Sequence, residues 1–123
     1  MTWVYHSEQR FRAHHALTLY NGEPEAPHGH EWRVSVKVSA ETLRKEHFAL
    51  DFHAVHDALA QVMEGLDGTD LTDHAHIGRI SPTAEAVALF VQERLEPLLT
   101  ALGGGLEMVS VWDGPGHRGD PSL

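Results

Sequence analysis

The sequence predicts an α+β domain, an antiparallel sheet with two helices in the order β-β-α-α-β-β. Three observations carry that prediction. Residues 30–39 alternate cleanly, with Trp32, Val34, Val36 and Val38 against Arg33, Ser35, Lys37 and Ser39, which is the period of a half-buried strand. Residues 83–102 form the clearest helix: Pro82 sits at its start, Ser81 or Thr83 caps it, Glu85 lies in its first turn, and Gly103-Gly104-Gly105 ends it. The 123 residues contain no linker, repeat or low-complexity segment, so a single domain spans residues 1–123.

The remaining elements follow in order. Residues 2–14 read as the first strand, with Val4, His6, Glu8, Arg10 and Arg12 alternating imperfectly with Trp3, Tyr5, Gln9, Phe11 and Ala13. Residues 20–27 hold Asn-Gly and two prolines and read as a loop. Residues 50–63 read as a helix, with Phe52, Val55, Leu59, Val62 and Met63 at helical spacing and Asp51 as its N-cap. Residues 65–80 are polar and punctuated by glycine, hence loop. In the second helix Ala86, Leu89, Phe90, Glu93 and Leu95 carry the pattern. Residues 106–112 read as a strand, and Gly114-Pro115-Gly116 turns the chain into a short polar tail.

Composition narrows the function. A formal net charge of −9 argues against nonspecific nucleic-acid binding and against anionic membranes, and an anionic substrate would need local basic groups. No apolar run is long enough to span a bilayer, and the first residues lack the pattern of a secretory signal. The chain has no cysteine, which excludes disulfides, thiolate metal sites and a cysteine nucleophile, and is compatible with a cytoplasmic location. Histidine, at 11 residues, is the outlier.

Two of those histidines flank a glycine at the mouth of the second strand, in "PEAPHGHEWRV". Residues two apart on a strand share a face, so His28 and His30 can offer two imidazoles side by side. Gly29 between them removes bulk from the other face. A catalytic metal site takes three protein ligands and an open position. The third candidate comes from "FRAHHAL", because consecutive strands pair as neighbours and His15 can then meet His28 and His30. A shift of one residue would put His14 there instead. Three imidazoles suit zinc, with water or substrate in the fourth place. The plainer reading of a histidine-rich chain is a surface enriched in His.

The segments "FRAHHAL", "HGHEWRVSVKV", "LDFHAVHDAL", "LDGTDLTD", "SPTAEAVALFV" and "VSVWDGPGHRGD" together resemble, in order and over nearly the whole chain, the 6-pyruvoyltetrahydropterin synthase and 6-carboxytetrahydropterin synthase family. The resemblance implies a tunnelling fold: a four-stranded antiparallel sheet with two helices on one side, three subunits joining their sheets into a barrel, and two trimers stacking into a hexamer. It implies Zn2+ on His15, His28 and His30, and a pterin substrate held at a subunit interface. The family's late acidic residue, which grips the pterin ring, matches Asp113; family members usually carry Glu there, one methylene longer. Thr83 and Glu85 match the P-T-x-E motif near the pterin edge, although ordinary helix capping would explain both.

The chain departs from the family at its catalytic residues. The usual cysteine ahead of H-G-H has no counterpart; one common spacing lands on Pro24. The L-D-H motif becomes Leu66-Asp67-Gly68, which keeps Asp67 and loses the histidine, and Asp73-His74 offers a displaced copy of the pair. A branch of the family resembles E-x-x-H-G-H instead, and Glu25-Ala26-Pro27-His28-Gly29-His30 fits it. Members of that branch cleave dihydroneopterin triphosphate to 6-hydroxymethyl-7,8-dihydropterin, a folate precursor. Glu25 would then be the base. The plainer reading of Glu25 is a solvated loop residue, and the alternative function is a degenerate homologue that keeps fold and zinc but binds another pterin-like or purine-like ligand. Arg10, Arg12, Arg33 and Lys37 are the candidate cations for a triphosphate.

Overall fold

In a computed structural model the described residues are 2–15, 28–41, 50–79, 82–114 and 118–119, with the backbone alone described at 28, 30, 118 and 119. Among these described residues five strands and two α-helices order as β1 (Trp3–His15), β2 (His28–Ala40), α1 (Phe52–Glu64), β3 (Thr69–Asp70), α2 (Ala84–Leu102), β4 (Gly105–Asp113) and β5 (Arg118–Gly119). The sheet runs β3-β1-β2-β4-β5. Along β1, β2, β4 and β5 each neighbouring pair is antiparallel, the expected four-stranded sheet, and the two-residue β3 adds a parallel pairing on the outer edge of β1.

The expected alternation sets the two faces. Trp32, Val34, Val36 and Val38 on β2 are buried, as are Phe11, Ala13 and His15 on β1 and Val109 and Val111 on β4. Both helices pack on this face, and alternation sends the intervening polar residues to the other one. β1 runs one residue beyond the expected end, to His15, and β2 begins two residues earlier, at His28. The histidines therefore lie inside the ladder, where register is fixed.

The helix caps match expectation. Asp51 caps α1, its carboxylate accepting from the backbone N–H of His53 and Ala54. Thr83 caps α2, its hydroxyl accepting from the Ala86 N–H at 3.1 Å. Gly103 closes α2 in the left-handed conformation at φ 89°, open to glycine at no steric cost.

The phase of α2 differs from the expected one. Its buried stripe runs through Ala84, Val87, Ala88, Val91, Leu95 and Leu99. Leu89 is 54% exposed and Glu93 is exposed, so the pattern drawn through them follows the outer side of the helix. Phe52, expected in the α1 stripe, is also exposed. The segment 65–79 is more ordered than a plain loop: it holds β3 and two turns of 3-10 helix, Leu71–Asp73 and Ile77–Arg79.

Candidate functional site

The register of β1 on β2 decides which histidine of the pair at 14 and 15 belongs with the H-G-H motif. His15 pairs with His28, Ala13 with His30, and His14 with Gly29. Directly paired residues share a face, so positions 15, 28 and 30 fall on the helix-covered face and His14 falls on the open one. His14 is exposed, and its ring lies over Gly29 so closely that a Cβ there would stand 2.6 Å from Nε2. The glycine between the two histidines thus makes room for a third on the far side of the sheet.

His15 is fully buried. Its ring meets the Trp32 ring edge-on, with centroids 4.9 Å apart, and Phe11 stacks on the other part of that indole at 5.8 Å. Nδ1 of His15 lies 2.8 Å from the Pro82 carbonyl oxygen. A carbonyl oxygen only accepts, so Nδ1 carries the hydrogen and donates it, and in the neutral ring Nε2 carries the lone pair. A backbone carbonyl that fixes the tautomer and ring orientation in this way is the usual outer support of a metal-bound imidazole. Pro82 also leads into Thr83, so the N-terminus of α2 is tied to His15.

Asp113 closes the group. It ends β4, pairs with Trp32 on β2, and so lies on the same face as His15. Its Oδ2 stands 3.5 Å from Nε2 of His15, and its side chain is 16% exposed. Among the described residues no three metal-ligating side chains assemble, which makes His15 and Asp113 a pair there. Positions 28 and 30 join them through the backbone register. The donor chemistry of the three histidine positions and the tautomer of His15 fit a zinc ion.

The remaining expected residues separate into those the fold brings near this group and those it employs elsewhere. Thr83 caps α2 directly after Pro82, whose carbonyl meets His15, and Glu85 is exposed in the first turn of that helix. Asp67 clips the outer edge of β1: its Oδ1 accepts from the Arg12 N–H at 3.0 Å, and the Gly68 N–H donates to the Arg12 carbonyl at 2.7 Å. Gly68 has φ 74°, so the position where the family motif carries histidine is held here in the left-handed conformation that favours glycine.

His74 is not brought to His15. Its Nδ1 accepts from the backbone N–H groups of His76 and Ile77, each at 3.1 Å, which caps the turn Ile77–Arg79. Its ring packs edge-on against Phe90 at 4.9 Å. Burial, then His76, then the Arg94 guanidinium lower its pKa from the ordinary 6.5. None of these contacts is with Asp73, its partner in the expected displaced Asp-His pair, or with Asp67. Glu25, with Pro24, lies outside the described residues.

The four strand cations fall on the face opposite His15, since β1 residues 10 and 12 and β2 residues 33 and 37 alternate with the buried set. Arg10 is 2.9 Å from Glu31 and 3.8 Å from Glu8, and Arg33 is 3.8 Å from Glu8 and sits 4.0 Å over the Trp112 ring. Arg12 lines a cleft of about 250 Å³ on that face, with Ala13, His14, Gly29 and Gly68.

Two features of the site had no signal in the sequence. The Pro82 carbonyl is a backbone group, and only the docking of α2 brings it to His15. Trp32 is readable as core but not as the surface against which His15 is held.

The family model of 6-pyruvoyl tetrahydropterin synthase matches residues 5–119. A 6-carboxy-5,6,7,8-tetrahydropterin synthase from Synechocystis sp. is 30% identical over 99 residues, which are 76% of this chain and 75% of that protein. The solved structure of Caenorhabditis elegans 6-pyruvoyl tetrahydropterin synthase matches with a TM-score of 0.81 at 16% identity, over 100% of this chain and 96% of that one. A structure of Plasmodium vivax 6-pyruvoyltetrahydropterin synthase, in which a glutamate described as a catalytic residue is replaced by alanine, matches with a TM-score of 0.75 at 15% identity, over 98% of this chain and 97% of that one. At those identities the structural likeness establishes the tunnelling fold.

Proposed function

Because the chain belongs to the 6-pyruvoyl tetrahydropterin synthase family, we propose that it is a zinc-dependent lyase acting on 7,8-dihydroneopterin triphosphate, with Glu25 as its base. The observation that carries this reading is His15: buried, oriented by the Pro82 carbonyl through Nδ1, and placed by the ladder on the face of positions 28 and 30. His15, His28 and His30 would hold the zinc, which supplies Lewis acidity that lowers the pKa of the substrate's side-chain hydroxyls. The protein would act as a homo-oligomer, trimer or hexamer.

The chain's own residues do the rest. Glu25 takes the proton of the 2′-hydroxyl. The C1′–C2′ bond then breaks, C2′ becomes an aldehyde carbon that leaves with the triphosphate fragment, and the bond's electrons pass to the ring imine. A proton returned to C1′ completes 6-hydroxymethyl-7,8-dihydropterin. Proton transfer within hydrogen-bond reach contributes on the order of 10²–10⁴ in rate, and no thiolate is needed for this cleavage. The glutamate named as catalytic in the Plasmodium vivax relative supports a carboxylate in this role. Asp113, on the same face as His15, would accept from the ring N–H groups, and Thr83 and Glu85 would stand at its edge.

The test is incubation of zinc-analysed protein with 7,8-dihydroneopterin triphosphate and chromatography of the products. Formation of 6-hydroxymethyl-7,8-dihydropterin, falling by about 10²–10⁴ in Glu25→Ala, is expected. Turnover unchanged in Glu25→Ala removes Glu25 as base. Stoichiometric zinc retained in His28→Ala removes the ligand assignment. Zinc without turnover favours the degenerate homologue with another ring ligand.

A further inference from the structure

We propose that the cleft on the open face of the sheet, between Arg12 and His14, is a binding site for a phosphoryl oxyanion. It lies across the sheet from His15 and does not depend on the metal reading above. The cleft holds about 250 Å³ and is lined by Arg12, Ala13, His14, Gly29 and Gly68. Pockets for larger organic ligands run to about 300–1,000 Å³, so this one suits a small ion better than a ring-bearing molecule.

The cation of the cleft is uncommitted. On the same face Arg10 lies beside Glu8 and Glu31, and Arg33 beside Glu8, whereas the Arg12 guanidinium makes neither an ion pair nor a hydrogen bond among the described residues. The carboxylates around it are engaged elsewhere. Glu31 stands directly opposite Arg12 in the ladder, but its Oε1 accepts from Arg10 at 2.9 Å. Asp67 accepts the Arg12 backbone N–H at 3.0 Å, and Asp70, opposite His14 on β3, accepts the Thr72 N–H at 3.0 Å. With 18 acidic side chains against 9 basic ones, an arginine left open at a cleft is a local exception to the field of the chain.

The fold also fixes the donors. The Arg12 N–H and carbonyl are both tied to residues 67 and 68, at 3.0 and 2.7 Å, so the backbone carrying the guanidinium is held before any ligand arrives. The guanidinium fork presents paired N–H groups at the spacing of phosphate oxygens. His14, two residues on, shares the face of Arg12. Its ring lies over Gly29 and makes no hydrogen bond among the described residues, and a neutral imidazole always carries one N–H to donate. A side chain at position 29 would push that ring away, so the glycine keeps the wall of the cleft in place.

The experiment is calorimetric titration at one pH and low salt, with inorganic phosphate and separately with tripolyphosphate, of wild type, Arg12→Gln, Arg12→Lys and Lys37→Gln. Wild type is expected to bind one phosphate per chain with a Kd below about 10 mM, equally before and after metal is stripped with a chelator. Arg12→Gln is expected to weaken binding at least about tenfold, through loss of charge-assisted hydrogen bonds. Arg12→Lys keeps the charge without the fork and is expected to fall between the two. Lys37 is on the same face but opposite His6, far along the ladder from the cleft, so Lys37→Gln is expected to match wild type. A wild type that does not saturate overturns the proposal. So does phosphate binding that vanishes on chelation, which would belong to the metal, and so does a loss in Lys37→Gln as large as in Arg12→Gln, which would belong to the face as a whole. Should Arg12→Gln fail to fold, Arg12→Lys decides, and wild-type affinity in it overturns the fork. Tripolyphosphate bound no more tightly than phosphate supports a site for the free ion; tighter binding that is lost in Arg12→Gln supports a site for the terminal group of a longer phosphate chain.

Discussion

A methyl group at residue 78 would sit 2.1 Å from the Thr72 carbonyl oxygen and 2.6 Å from that of Leu71. Both obstacles are backbone, so the Gly78→Ala protein must move the turn Leu71–Asp73 or the turn Ile77–Arg79, and overpacking of this kind costs about 1–3 kcal/mol. Gly29 looks tighter constrained in the sequence, because it stands inside H-G-H, yet the nearest atoms a methyl there meets belong to the His14 ring, the far end of an exposed side chain. Urea denaturation is therefore expected to show Gly78→Ala losing clearly more stability than Gly29→Ala. Equal losses would mean that the 71–79 segment yields as easily as a surface ring. The contrast also marks what single residues reveal in a sequence. Spacing two apart is enough to place 28 and 30 on one face, whereas the constraint on Gly78 exists only because the chain folds back on carbonyls six and seven residues earlier.

The turn Ile77–Arg79 depends on an imidazole that must stay neutral. His74 receives two backbone N–H groups on Nδ1, so the proton that would charge the ring has to displace them. Burial, His76 and Arg94 push in the same direction and hold the folded-state pKa below 6.5. A folded pKa below the unfolded one means that the unfolded chain binds more protons, so stability is present above about pH 6.5 and is lost as pH falls through the lowered value. Asparagine offers an oxygen in place of Nδ1 and does not titrate. The melting temperature of His74→Asn is expected to fall less than that of wild type between pH ~7.5 and ~5. Parallel declines would place the acid sensitivity elsewhere. Elements differed in how far the sequence exposed them. β2 was legible because alternation is a local pattern, and both N-caps were legible because Asp51 and Thr83 act on their own first turns. The buried stripe of α2 was not, because Leu89 and Phe90 form a second apolar strip and only docking chooses between strips.

At the scale of the whole molecule, charge sets a condition on the substrate. The chain carries a formal −9, and Arg10, Arg12, Arg33 and Lys37 on β1 and β2 lie on the face opposite His15, with Arg10 and Arg33 already beside Glu8 and Glu31 or the Trp112 ring. The identity of those cations was readable from the sequence, but their facing was not, since it follows from the register that sends His15 inward. A triphosphate approaching the His15 face therefore meets a field that is repulsive on balance, and added salt screens it over a Debye length of about 10 Å at 0.1 M. For the proposed substrate, kcat/KM is expected to rise severalfold between about 20 and 200 mM NaCl, while the dephosphorylated 7,8-dihydroneopterin responds little. A fall in kcat/KM with salt would mean that a compact basic site captures the phosphates. Given the facing of Arg10, Arg12, Arg33 and Lys37, such a site would have to be built from other residues, of this chain or of a neighbouring copy across the sheet edge.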